Sequence, residues 1–296
     1  MRTFWLILAL VAGALLPQAH VASFLVRYLI MMMLFLAFLK VDMKSFKMNL
    51  NIILVLLANI IMGFAVYFIF RPLNTTLAIA AFITAITPTA TAAPVITSFL
   101  KGKVEYVVSS LILTNSIIAL GIPFVLPLLT KTATTISTAS ILLSTVFVVF
   151  LPLALAQALV YISPPAAKII ARYHNLSFFL WLLVLFIATA NSVDSIIELK
   201  VPVNTLISIA AISFVICIIN FSIGSIIGGE KYSQEASQSL GQKNTILTIW
   251  IASTFISPIA ALGPMFYVIY HNLYNSYQLY RFGKRQNKDS ATTHAT

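Results

Sequence analysis

Acidic residues are scarce in this chain of 296 residues: 7 Asp and Glu against 18 Lys and Arg, with only 8% of positions charged. A soluble domain carries about 25% charged residues, so a water-soluble globular protein is excluded. Cysteine is nearly missing too. Cys217 stands alone inside an apolar run, which leaves no intrachain disulfide and no thiolate metal cluster. Long polar stretches are absent, so no soluble domain is expected, and the only tail is 281–296. There is no Gly-rich phosphate loop, HExxH, nucleophile elbow or pair of intramembrane carboxylates, so no enzyme is predicted. In a soluble protein the net charge of +11 would suggest nucleic acid. Here most cations sit in short loops between apolar runs, so they read as topology signals and no nucleic-acid partner is expected.

What the chain has in plenty is apolar sequence. Sixty per cent of its residues are hydrophobic and the mean hydropathy is +1.00. The runs are of helix length rather than the alternating segments of an outer-membrane barrel. They predict an all-α integral membrane protein of ten transmembrane helices, near 4–19, 21–39, 50–70, 76–100, 104–129, 139–162, 176–197, 203–227, 233–256 and 258–279. Arg2 and the apolar run 4–16 resemble a signal peptide, but Leu16-Pro17-Gln18-Ala19-His20 is a poor cleavage site. A retained first helix is therefore expected. Ten helices put both termini on one side, together with Arg2, Lys40, Lys44, Lys101, Lys103, Lys168, Arg172, Lys231 and Arg281. The other side receives only Arg71, Lys131 and Lys200. This bias predicts cytoplasmic termini and a multi-pass protein of the cytoplasmic (inner) or plasma membrane, with the lipid bilayer as its surroundings.

Two of these helices are interrupted. The fourth contains Thr87-Pro88-Thr89-Ala90-Thr91-Ala92-Ala93-Pro94, and the ninth contains Ser239-Leu240-Gly241-Gln242-Lys243-Asn244. Each lies fourth in its half of the chain. An odd number of helices per half inverts the second copy, so an inverted 5+5 repeat is expected within a single transporter domain: about 1–130, about 131–282, and a tail at 283–296. Paired interrupted segments mark the binding site of secondary transporters.

The interruptions supply the candidate site. Pro88 and Pro94 remove backbone donors and open carbonyls one turn earlier. Thr89 and Thr91 can bond those carbonyls or a ligand; the plain alternative is a proline kink capped by threonines. Lys243 at mid-membrane is penalised by about 2.5–3.5 kcal/mol on insertion scales. It can bind an anion, act as a built-in cation or move a proton; the structural alternative is an ammonium holding frayed carbonyls at the break. Gln242 and Asn244 are amides able to bind a carboxylate. Asn115 belongs to a polar stripe with Ser109, Ser110 and Thr114. His271 is a mid-membrane histidine, a site candidate by default. Glu235 is expected to cap a helix or stay at the interface.

Taken in order, these segments resemble the bile acid:sodium symporter family over nearly the whole chain. The resemblance is carried by 40–46, by the block TPTATAAPVITSFLKGKVEYVVSSLILTNS, by Leu240-Gly241 with Asn244-Thr245, and by His271-Asn272. It implies panel and core domains, interrupted helices 4 and 9 crossing in the core, and alternating access for an organic anion, bile-acid-like or a small carboxylate. Sodium is the coupling ion the resemblance implies, and Asn244 and His271 match positions facing the substrate cavity. The sodium positions depart from the family pattern. Where it reads Glu-x-Gly-x-Gln-Asn, this chain has Ser239 for the acid and Lys243 for the glutamine. Its Ser-Asn pair in helix 4 is Ala93-Pro94, and its hydroxyl ligands in helix 5 are Val107 and Leu111. A hard cation wants oxygen ligands and usually a carboxylate. The expectation is a carrier without the usual sodium sites, with Thr89, Thr91, Asn115, Asn244 and His271 binding substrate and Ser239, Gln242 and Lys243 standing at the ion position. The alternatives are a proton-linked or facilitated carrier of another solute on this fold, or a non-transporting membrane sensor.

Overall fold

The structure is a computed structural model, and it describes residues 2–39, 47–130 and 138–293. The motif at 40–46 and Lys131 lie outside the described residues. The described chain is helical: α1 Arg2–Leu15, a 3₁₀ stretch Pro17–Leu25, α2 Val26–Phe38, α3 Leu50–Phe70, α4 Thr75–Ile86, α5 Ala93–Phe99 and α6 Val104–Thr130. Then come α7 Thr138–Ile162, α8 Pro164–Ala171, α9 His174–Glu198, α10 Val203–Gly241, α11 Thr245–Phe255 and α12 Pro258–Thr293. Six segments have the length and apolarity to cross a membrane, and α4 and α11 are shorter apolar helices. With this composition, the chain is an integral membrane protein.

Local chemistry explains most of the boundaries. Asn49 caps α3 by accepting from the Ile52 N–H, and Asn74 caps α4 through the Thr76 and Leu77 N–H groups. The stretch predicted as the end of one helix and the start of the next, 4–19 and 21–39, instead ends α1 at Leu15 and runs as 3₁₀ turns to Leu25. Pro17 has no N–H to continue the α ladder. His20 Nδ1 stands 3.5 Å from Asp194 Oδ2, joining these turns to α9. The connection expected between 162 and 176 contains α8, whose first residue is Pro164, a residue preorganised for a first helical turn. The tail expected from 281 onward is a continuation of α12 as far as Thr293.

α10 is two arms. Gly229 has φ +56° and Tyr232 φ −137°, so the helix is interrupted there. The arms then run back along each other. Ser225 Oγ meets Ser233 Oγ at 2.6 Å, and Ser237 Oγ donates to the Phe221 carbonyl at 2.8 Å. Small residues allow this approach: a Cβ on Gly224 would lie 2.5 Å from the Ala236 carbonyl oxygen. The long segment thus contains both the expected helix 203–227 and the first half of 233–256.

The helices pack in two groups. α1, the 3₁₀ stretch, α2, α7 and α9 contact one another, and α3, α4, α5, α6, α10, α11 and α12 form the other set. α9 meets α11 and α12 across the seam, and α6 meets α7. The two interruptions lie inside the second group.

Candidate functional site

Thr87 precedes Pro88, and that pairing disfavours the α conformation. α4 ends there, with Thr87 at φ −47°, ψ 129°. At the second break Gln242 is extended, φ −88°, ψ 104°. The two extended segments pair antiparallel, with Thr89 opposite Lys243. Asn244 N–H donates to the Pro88 carbonyl and Ala90 N–H to the Gln242 carbonyl, both at 2.8 Å. Each break therefore supplies the other's missing partners, as buried backbone requires.

Side chains complete the pairing. Thr89 Oγ1 donates to the Ser239 carbonyl at 2.6 Å, and Thr114 Oγ1 donates to Thr89 Oγ1 at 3.0 Å. Asn115 donates to the Thr89 carbonyl at 2.8 Å and accepts from Asn244 Nδ2 at 3.1 Å. Tyr267 donates to the Gly241 carbonyl at 2.7 Å.

Lys243 is 2% exposed, so its ammonium does not snorkel to an interface. It donates to the Asn59 side-chain carbonyl and, at 3.1 Å, to the Ala85 carbonyl in the last turn of α4. Asn59 Nδ2 in turn donates to the Ile86 and Thr87 carbonyls at 3.1 and 3.2 Å. The ammonium thus sits where α4 exposes the negative end of its dipole. No carboxylate pairs with it among the described residues.

Beside the crossing lies a cavity of about 360 Å³ between the two helix groups. Its polar wall carries Thr91, Gln242, Lys243, Asn244, His271 and Asn275. Phe99 of α5, Phe178 and Trp181 of α9 and Met33 of α2 line the cavity as well. Thr245 and Ile246, the first turn of α11, also line it, so the positive end of that helix dipole borders the space. His271 is 4% exposed and its Nδ1 has no hydrogen-bond partner; the same holds for Asn275 Nδ2 and Gln242 Oε1. None of the lining residues is acidic. A cavity bordered by a helix N-terminus, with several amides, aromatic side chains and no carboxylate, suits an anion that has an apolar part.

Of the residues expected at the site, Thr91, Gln242, Lys243, Asn244 and His271 meet at the cavity. Thr89, Asn115 and Ser239 lie buried within the crossing and are absent from the cavity wall. Other contributors were not anticipated, among them Asn59, Phe178 and Trp181. Asn59 bonds both the ammonium and the open end of α4; its one sequence signal was an amide inside the apolar run of α3. Phe178 and Trp181 carried no signal, since aromatic residues abound in such helices.

Of the positions matched to sodium ligands, Ala93, Pro94, Val107 and Leu111 are apolar, whereas Ser239 and Lys243 are polar and buried. Ala93 and Val107 are fully buried in one cluster with Ile52, Val55, Ala236 and Leu240. Leu111 is buried in the neighbouring main core. The residues present do not fit a hydrated or dehydrated cation there.

A model of the sodium bile acid symporter family matches residues 21–223, more than half of the chain. That stretch includes the first interruption and ends before the second. No curated protein matches the chain.

Proposed function

This chain belongs to the sodium bile acid symporter family, a family of membrane transporters, and on that premise we propose that it is a secondary carrier of an organic anion that works without the family's usual sodium sites. The observation that carries the reading is the cavity at the crossing: Lys243 and the α11 N-terminus border it, and no acid does. In secondary transporters, half-helix N-termini face anionic substrate groups, and half-helix C-termini face the coupling cation. Here the Lys243 ammonium occupies the second of those places, at the carbonyls closing α4. It supplies a fixed positive charge where the family carries a dissociable one. The apolar surroundings of Ala93, Val107 and Leu111 support the same reading.

Asn244, His271 and Thr91 contact substrate in this proposal, while Thr89 and Asn115 hold the geometry of the crossing. Gln242 presents an unpartnered Oε1 to the cavity. The antiparallel pairing of Thr89 with Lys243 is what two inverted repeats crossing at their breaks would produce. It supports ten spans and the 5+5 layout, about 1–130 and 131–282, with both termini cytoplasmic. Alternating access would move the α1, α2, α7, α9 group against the other around the cavity.

Reconstituted full-length protein tests the function by counterflow of pyruvate, benzoate and taurocholate. Saturable exchange of at least one, abolished in Asn244→Ala, is the expected result. Unsaturable current would mark a channel. No flux with any anion, from folded protein, would favour a non-transporting sensor and overturn the proposal.

A further inference from the structure

Glu235 is the one buried carboxylate among the described residues, 6% exposed. Its carboxylate is held at the start of α6. It lies in the second arm of α10, and its Oε1 accepts the backbone N–H of Lys103 at 2.7 Å. Lys103 belongs to the short connection between α5 and α6, so the carboxylate joins the arm leading to one break to the chain leaving the other. No cation pairs with it among the described residues. Lys103 Nζ sits 4.6 Å over the Tyr232 ring instead.

Two buried hydroxyls near Glu235 have no hydrogen-bond partner. They are Thr97 Oγ1 and the Tyr106 hydroxyl. A Cβ on Gly102 would lie 2.9 Å from Thr97 Cγ2 and 3.2 Å from Glu235 Oε1, so Thr97 and the carboxylate both border Gly102. Unpartnered buried polar atoms ask for an explanation.

The face of the helix that carries Glu235 continues as Gln238, Ser239 and Gln242, at the i, i+3, i+4 and i+7 positions that share one side. All three are buried, and each holds one oxygen without a partner: Gln238 Oε1, Ser239 Oγ and Gln242 Oε1. Gln238 also donates to Asn275 Oδ1 at 3.0 Å, and both Asn275 and Gln242 line the cavity. A buried polar stripe therefore runs from Glu235 to the substrate cavity.

We propose that Glu235 is the proton-binding carboxyl of this carrier, linked to the cavity by the stripe Gln238–Ser239–Gln242. The proposal rests on the carrier reading and names its coupling ion. When ionised, Glu235 accepts the Lys103 N–H and holds the α5–α6 connection against α10. On protonation the carboxyl becomes a donor, and its hold on the Lys103 N–H weakens. Proton loading is thereby transmitted to the chain segments that build the cavity. The titratable and charged groups around it are Lys101 and Lys103 at the connection, Glu105 and Tyr106 of α6, Glu230, Lys231 and Tyr232 of α10, and Tyr274, Tyr277 and Arg281 of α12, which border a cavity with the adjacent Gln234. α4 and α5 carry no titratable residue. α3 carries only Tyr67, which donates to the Leu129 carbonyl at 2.9 Å.

The test uses full-length protein in liposomes and has two arms. In the first, infrared difference spectra are recorded against pH in potassium buffer without substrate. One protonated-carboxyl band should be present in the wild type and in the exposed-site control Glu230→Gln, and lost in Glu235→Gln. Glutamine can still accept the Lys103 N–H, and Glu235→Asp, which should keep the band at a shifted position, serves if Glu235→Gln fails to fold. Identical spectra in wild type and Glu235→Gln overturn the proposal, as does a band that responds to sodium rather than pH. In the second arm, an inward pH gradient should drive accumulation of a transported carboxylate from the counterflow panel in wild type and Glu230→Gln, and not in Glu235→Gln. Equal accumulation in both Glu235 forms overturns the proton site but leaves the carrier standing. A titrating Glu235 in a protein that moves none of the probes overturns the carrier reading instead.

Discussion

Lys243 and Asn59 form one unit. The amide satisfies the Ile86 and Thr87 carbonyls with its nitrogen and the ammonium with its oxygen. Asn59→Ala would strip partners from a buried charge and two buried carbonyls at once. It should destabilise the protein by about 3 kcal/mol, seen as a lower melting temperature in detergent. Asn59→Asp, which supplies a carboxylate to the ammonium, should lose much less. A melting temperature unchanged in Asn59→Ala would show that Lys243 is not held as described. Lys243 was legible in the sequence because a lysine amid apolar residues is costly wherever it sits. Its partner was not legible, because 184 positions separate the two and an amide in a membrane helix has many uses. His271, Asn244 and Gln242 were legible for the same reason as Lys243: each is polar at membrane depth, and each reaches the cavity.

At the scale of elements, the first break was written in its prolines. The second has no proline and was marked by polarity alone. What the sequence could not disclose was how each break satisfies its backbone, because the answer is the other break. The close pairing of the two arms of α10 was hidden for a related reason: glycine in a membrane helix says that something approaches, not what. The structure says that it is the Ala236 carbonyl at Gly224 and the Ser233 backbone at Gly228. Gly224→Val should therefore force the arms apart and destabilise the protein by about 1–3 kcal/mol. Gly121→Val, where a Cβ has open space, should fall well short of that, and equal losses in the two would contradict the close approach. The 3₁₀ turns at Pro17–Leu25 show the limit of hydropathy reading, which registers an apolar run but not the ladder type a proline permits.

At the scale of the molecule, the proposed inverted 5+5 layout is supported by the antiparallel crossing, and its proposed orientation by the cationic bias of the loops. Cysteines introduced at Ser290 and at Ser98, in a background with Cys217→Ala, should both be labelled by an impermeant thiol reagent only from the cytoplasmic side. Labelling of the pair from opposite sides would contradict ten spans with cytoplasmic termini. The all-helical membrane class was accessible early because it depends on composition and on the length of apolar runs, both additive along the chain. Two helix groups were implied by the family resemblance, but which side chains of α9 line the cavity depends on packing across the seam, which no local pattern records. The central claim is that the Lys243 ammonium stands permanently in the place of a dissociable sodium ion. The most direct measurement is uptake of a transported carboxylate into proteoliposomes with potassium replacing sodium throughout. Uptake should continue at an unchanged rate, and uptake that stops without sodium would contradict the account.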